Sequence, residues 1–316
     1  MEKLLELKNV NLNYIGGYTG LVDISLVLEK GKGLVVTGFS NSGKSNLART
    51  IAGLERASSG EIIYKGVPIT SIPLKERNIS LLFNDSSLFD NKSIYENIAY
   101  PMQLREYKEE TIKEKIDNLA SMLNIDKYLN ENIKKVSDKV KSLVLLARMF
   151  GVERDLYLID EPFKNFSNEE KKKLYPILKD LLKGKSYIYF TRSLEEGLEF
   201  QDKCLVIDHF KLVDEIDYYS QPNHIASSLL QGASEVYATL RKIGEEYCLD
   251  ILEEDIIDED RERFIKDTNY MVCRPPISDI YIDKKILAVR NSDNQIDIYN
   301  YFDLASMYNI AKINKE

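Results

Sequence analysis

The sequence predicts an α/β protein, and three observations carry that reading. Short apolar runs of strand length alternate with stretches whose apolar residues recur at helical spacing. Gly38 to Ser45 fits G-x-x-x-x-G-K-[ST]. It is preceded by an apolar strand, Leu34 to Val36, and followed by a helical pattern of Leu47, Ala48, Ile51, Ala52 and Leu54. Further on, Leu156-Tyr157-Leu158-Ile159 is a strand-length apolar run that ends in Asp160-Glu161-Pro162.

Strand, glycine-bounded loop and helix are the context that a phosphate-binding loop requires. Glycines let the backbone curl so that N–H groups point inward at phosphate oxygens. The helix that follows adds its positive N-terminal end. The expected contacts run through Gly38, Phe39, Ser40, Asn41, Ser42, Gly43, Lys44, Ser45 and Asn46. Lys44 is expected to reach the β- and γ-phosphates, and the Ser45 hydroxyl to ligate Mg²⁺. At the end of the later strand, Asp160 can hold Mg²⁺ through water and Glu161 can polarise an attacking water.

The other elements follow in order. Residues 4–14 alternate loosely, and 21–28 read as a second strand before a turn at Gly31 and Gly33. Tyr14 and Tyr18 both lie upstream of the loop, where a ring could stack on a purine, and position does not choose between them. Residues 58–66 read as turn, strand, turn, and 79–85 as a strand entering a polar loop. Phe89, Tyr95 and Tyr100 mark an aromatic, surface-facing segment. Residues 109–123 form an amphipathic helix with Ile112, Ile116, Leu119 and Leu123 on one face. Ser137 is placed to cap a helix whose apolar face includes Val140, Val144 and Ala147. Helix 168–182, strand 186–191, helix 193–200 and strand 204–208 continue the alternation.

Composition narrows the function. The 316 residues leave room for one large domain or two, with 44% hydrophobic and 30% charged residues, as in ordinary globular proteins. No apolar run approaches the roughly 18–20 residues of a membrane span, and Met1 to Glu6 lacks a secretory signal's apolar core. Membrane association is therefore expected through a partner. Cys204, Cys248 and Cys273 have no metal-ligand spacing and read as core thiols in a reducing compartment. The net charge of −8 is concentrated after Ala233, where 18 acidic residues face 11 basic ones. That excess argues against nucleic acid as the main partner.

The phosphate loop, the Asp-Glu-Pro strand and the helical stretch between them resemble the ATP-binding cassette of ABC transporters. The landmarks fall in order from Leu4 to about Gly232, and the likeness is to ATPase subunits of sugar, polyamine or ferric-iron importers. Leu88 to Pro101 and Tyr219 to Gly232 look like segments of that importer group. Tyr270 to Pro276 is similar to the Arg-Pro motif of the group's C-terminal regulatory domain. The resemblance implies a mixed central sheet flanked by helices, with a helical insert at about 86–152, within a cassette spanning 1–232. It implies a small, β-rich, truncated regulatory-like domain over 233–316. The expected ligands are ATP and Mg²⁺, with Tyr14 as the adenine-stacking ring and Glu161 as general base.

Four landmarks depart from the family pattern. Asn84 replaces the glutamine that senses Mg²⁺ and the attacking water. The Leu-Ser-Gly-Gly-Gln signature is Val136-Ser137-Asp138-Lys139-Val140 here. In the family this segment crosses the dimer and offers serine and backbone N–H groups to the partner's γ-phosphate, a place unsuited to the Asp138 carboxylate. Ser167 replaces an aspartate that couples the two sites, and Arg192 replaces the switch histidine. Arginine cannot be a neutral relay, but it could pair with phosphate as a fixed cation. The resemblance thus implies a slow or partner-dependent ATPase, working beside a second, non-identical cassette subunit. Permease subunits are expected on the aromatic segment, with a substrate-binding protein as an indirect partner, on the inner face of the cell membrane. The first alternative is an ATP-binding structural or regulatory subunit that does not hydrolyse; a soluble cassette protein of ribosomes or DNA repair, and an unrelated phosphate-loop enzyme such as a small-molecule kinase, are the other two.

Overall fold

A computed structural model describes residues 2–83, 88–217 and 230, with backbone strands at 234–243, 246–250, 271–273, 285–290, 296–300 and 309–313. The chain divides into two compact units, Met1–Thr37 with Gly43–Asp202, and Gly38–Ser42 with Lys203–Glu316.

The first unit opens with β1 (Lys3–Asn13), β2 (Thr19–Glu29) and β3 (Gly33–Thr37), then α1 (Lys44–Ala52). β4 (Ser59–Tyr64), β5 (Val67–Pro68) and β6 (Ile79–Leu82) follow. Next come α2 (Ile94–Gln103), α3 (Glu109–Met122) and α4 (Asp138–Phe150). The unit closes with β7 (Leu156–Asp160), α5 (Asn168–Leu182), β8 (Tyr187–Thr191) and α6 (Leu194–Leu198).

Two sheets organise it. An antiparallel sheet runs β2-β1-β4-β5. Its alternation was loose in the sequence because the pairing is bulged, with Asn9 and Asp23 at φ 49° and 52°. A parallel sheet runs β3-β8-β7-β6. Every residue of β7 and β8 is buried, as befits the central strands of a parallel sheet. β3 approaches β8 so closely that a Cβ on Gly33 would lie 2.1 Å from the Tyr187 ring.

The helices end where local chemistry dictates. α1 stops at Gly53, whose φ of 84° suits a left-handed cap, so Leu54 lies beyond the helix and is exposed, not on its buried face. α2 begins in a capping box between Ser93 and Glu96. α3 buries Ile112, Ile116 and Leu119, the face its spacing predicts. Ser137 caps α4 by accepting from the Val140 N–H, while Val144 and Ala147 are buried. α6 covers Leu194–Leu198, shorter than the expected 193–200, with Ser193 as its cap. Among the described residues, no helix is long and apolar enough to cross a membrane.

The second unit contains the hairpin β9 (Cys204–Asp208) and β10 (Lys211–Ile216). Burial pushes the Cys204 thiol up to about 12, as expected of a core thiol. The unit also holds β11 (Ser234–Ile243), β12 (Glu246–Asp250), β13 (Met271–Cys273), β14 (Lys285–Arg290), β15 (Ile296–Asn300) and β16 (Asn309–Ile313). These make an antiparallel sheet in the order β13-β12-β11-β14-β15-β16, so the C-terminal residues are β-rich. Arg274, Pro275 and Pro276 lie outside the described residues, as does Tyr219 to Gly232 apart from Leu230.

Candidate functional site: a phosphate-loop cassette

In the second unit, Gly38 to Ser42 is folded as a tight turn. The Ser42 N–H donates to Phe39 O at 3.3 Å, and Phe210 N–H donates to Ser42 O at 2.8 Å. Asn41 adopts φ 64°, which asparagine tolerates better than most residues. A Cβ on Gly38 would sit 2.2 Å from Ile207 O, so only glycine fits there. Phe39, Ser40 and Asn41 are exposed, whereas Ser42 Oγ is buried without a hydrogen-bond partner. A buried hydroxyl left in this way is uncommon unless a ligand or water completes it.

In the first unit, the chain resumes at Gly43, which caps α1 at φ 113°. No side chain caps that helix, and the positive end of its dipole suits an anion there. Lys44 is buried, and burial lowers the pKa of its ammonium, with Glu161 and Asp160 acting against that shift. Its Nζ lies 3.8 Å from Glu161 Oε1. Ser45 Oγ donates to Asp160 Oδ2 at 2.6 Å, joining the start of α1 to the end of β7. Burial raises the Asp160 pKa, opposed by that hydrogen bond. A hydroxyl and a carboxylate, both hard oxygen donors, fit Mg²⁺. Among the described residues no cluster of three His, Cys, Asp or Glu side chains could hold a metal alone, so phosphate oxygens and water would complete the shell.

Tyr14 is half-buried, and its hydroxyl donates to Asn46 Oδ1 at 3.3 Å. Asn46 Nδ2 in turn donates to Gly20 O at 3.0 Å, which fixes the tyrosine against the first turn of α1. Tyr18 is exposed.

Glu161 follows β7 with φ 44°, and its N–H donates to Phe190 O at 3.0 Å. Arg192 Nε lies 3.0 Å from Glu161 Oε2. The switch position therefore holds the general-base candidate rather than standing apart from it. Behind it, the buried Glu196 carboxylate accepts from Tyr189 Oη at 2.7 Å and Thr191 Oγ1 at 3.2 Å. Lys171 Nζ donates to its other oxygen at 2.6 Å.

The signature residues are arranged differently. Val136 precedes the α4 cap, Ser137 is that cap, and Asp138 pairs with Lys141 at 3.0 Å. Lys139 Nζ donates to both Glu170 oxygens, at 2.6 and 2.7 Å. Glu170 also closes a capping box with Ser167 at the start of α5. Those two partners hold the Glu170 carboxyl at about 2, with Lys139 the larger cause. Phe89 and Tyr100 meet edge to face at 4.5 Å, with the Arg148 guanidinium over both rings. Asn84 lies outside the described residues.

Arg192, Glu170 and Glu196 are the members whose contacts the sequence did not reveal. Ser167-x-x-Glu170 is legible as a capping box, but Lys139 is 31 residues away.

The sequence model of the ABC transporter family matches residues 21–164. This stretch belongs to the ABC transporter family. An ABC transporter cassette is an ATPase domain that takes ATP with Mg²⁺ as the nucleotide's partner. The chain is 29% identical over 240 residues to a spermidine/putrescine import ATP-binding protein of Clostridium novyi, covering 74% of this chain and 69% of that protein. It is 32% identical over 208 residues to a sulfate/thiosulfate import ATP-binding protein of Synechocystis, covering 65% and 58%. Among solved structures, it is similar to cbiO1 of Clostridium perfringens, part of an ABC transporter complex. That match has TM-score 0.61 and 22% identity, covering 68% of this chain and 88% of that one. It is also similar to a dimeric ATP-binding cassette bound to ADP and phosphate after hydrolysis. That match has TM-score 0.63 and 20% identity, covering 69% and 100%. These two likenesses identify the ABC cassette fold.

Proposed function

We propose that this chain is the ATP-binding, energy-coupling subunit of an ABC importer, and that it works as one half of an asymmetric pair of cassettes. The observation that carries the reading is the Ser45–Asp160 hydrogen bond beside the pair of buried Lys44 and half-buried Glu161, at the start of α1, which no side chain caps. Gly38 to Lys44 hold the phosphates through backbone N–H groups and the Lys44 ammonium. Tyr14 stacks on the adenine. Ser45 and Asp160 hold Mg²⁺, with Asn84 at the sensing position, and Glu161 takes the proton of the attacking water. When bound, the metal neutralises charge developing on the phosphates.

Asymmetry is supported by the signature residues. Ser137 serves as a helix cap, Lys139 is engaged by Glu170, and Asp138 brings a carboxylate where a partner's phosphate would lie. A dissimilar cassette with an intact signature completes the site on this chain. Residues 1–232 are the cassette, with a helical insert at about 86–152, and 233–316 are a regulatory-like domain. The half-buried Phe89, Tyr95 and Tyr100 receive the permease, which holds the chain on the inner face of the membrane and links it to a substrate-binding protein. Purification from native membranes tests this directly. Membrane subunits and a second ATPase are expected to copurify. Recovery of this chain alone, as an ATP-hydrolysing homodimer, would contradict it.

A further inference from the structure

Glu161 is spanned by two cations. Arg192 Nε lies 3.0 Å from Oε2, and Lys44 Nζ lies 3.8 Å from Oε1. The backbone is constrained at both ends, while the Arg192 side chain is 51% exposed and Glu161 20%. Glu161 is fixed by its positive φ, by the bond to Phe190 O and by Pro162 after it. Arg192 sits between Thr191 and Ser193, whose N–H donates to Thr191 Oγ1 at 3.1 Å. Thr191 and Ser193 are both tied to Glu196, so the short loop carrying Arg192 has little room to drift.

A general base must turn a lone pair on the water that it deprotonates. A nucleotide's phosphates compete with Oε1 for Lys44, but that exchange leaves Arg192 on Oε2. The guanidinium is permanently charged, and its rigid donor fork suits a carboxylate, so it does not let go as a neutral imidazole would. We propose that Arg192 is a brake: a positioning residue that holds Glu161 by Oε2, so that each turnover requires the Arg192–Glu161 pair to open. This rests on the reading of Glu161 as the base that serves bound ATP.

The test uses the full-length chain in its complex purified from native membranes, with MgATP binding and turnover measured side by side. Arg192→Ala is expected to raise kcat about threefold or more, with KM changed less than about twofold. Arg192→Lys keeps a cation and is expected to return kcat toward the wild-type rate. The gain is expected to vanish in Arg192→Ala combined with Glu161→Gln, because the effect passes through that carboxylate. An Arg192→Ala rate at or below wild type, with MgATP binding intact, overturns the brake and leaves the nucleotide reading standing. A gain that survives Glu161→Gln also overturns it. Failure of the wild-type chain to bind MgATP removes the nucleotide reading itself, and the brake with it.

Discussion

The proposed nucleotide side and the signature side of this cassette place the same kinds of residue in different settings. On the nucleotide side, Lys44, Asp160 and Glu196 are buried; Lys44 lies 3.8 Å from Glu161, Asp160 accepts from Ser45, and Glu196 is held by Lys171 and Tyr189. On the signature side, Lys139 and Glu170 meet in the open, with side-chain exposures of 46% and 39%. Buried charges are costly unless something completes them, so they persist where a ligand or network does so. Exposed pairs contribute little to stability. The contrast teaches that buried charge gathers at the start of α1 and the ends of β7 and β8, in keeping with the proposed chemistry, while the exposed pair joins the starts of α4 and α5.

Substitutions can break that contrast at either end. The largest effect is expected from Glu161→Gln, which should lower kcat by about 10²–10⁴ while MgATP still binds, as single-turnover assays would reveal. An unchanged rate would remove Glu161 from the chemistry. Glu196→Ala comes next. It leaves Lys171 without its buried partner and should cost about 3–5 kcal/mol of stability, read from urea unfolding. Lys44→Ala should weaken MgATP binding by about ten- to a hundredfold, in line with the ~1.5–3 kcal/mol of a charged hydrogen bond. Calorimetry would check it, and undiminished affinity would count against the phosphate loop.

The smallest effect is expected from Glu170→Gln, which should shift the urea midpoint slightly at pH 7 and leave MgATP affinity unchanged. Its pH dependence has a definite sign. The carboxyl is held at about 2 in the folded chain, below the ordinary 4.5, so its stabilisation is fully present above about pH 4.5. That stabilisation is lost as pH falls from there toward 2, so the difference between wild type and Glu170→Gln should shrink over that window. A difference that grows on acidification would mean the pair is not formed.

Much of the fold was legible because it is written locally. β7 and β8 are continuous apolar runs, and the buried face of α3 follows from spacing alone. Ser137 was readable as a cap because capping needs only the next three residues. The loose alternation of β1 reflects bulges, and the overlong reading of α1 came from following Leu54 past Gly53. The candidate site was legible residue by residue but not as a set of contacts. Arg192 lies 31 residues from Glu161, and Ser45 lies 115 from Asp160, so only the parallel order β3-β8-β7 brings such groups together. Local pattern carries no record of that order, which is why the Arg192–Glu161 pair was not foreseen.

The most direct test is sedimentation of the full-length Glu161→Gln chain under saturating MgATP, with bound nucleotide counted. The account predicts one nucleotide on each chain and no self-association, because Asp138 and Lys139 leave the signature side unfit to clasp a second copy's ATP. A homodimer that forms only with MgATP and retains two nucleotides would contradict it.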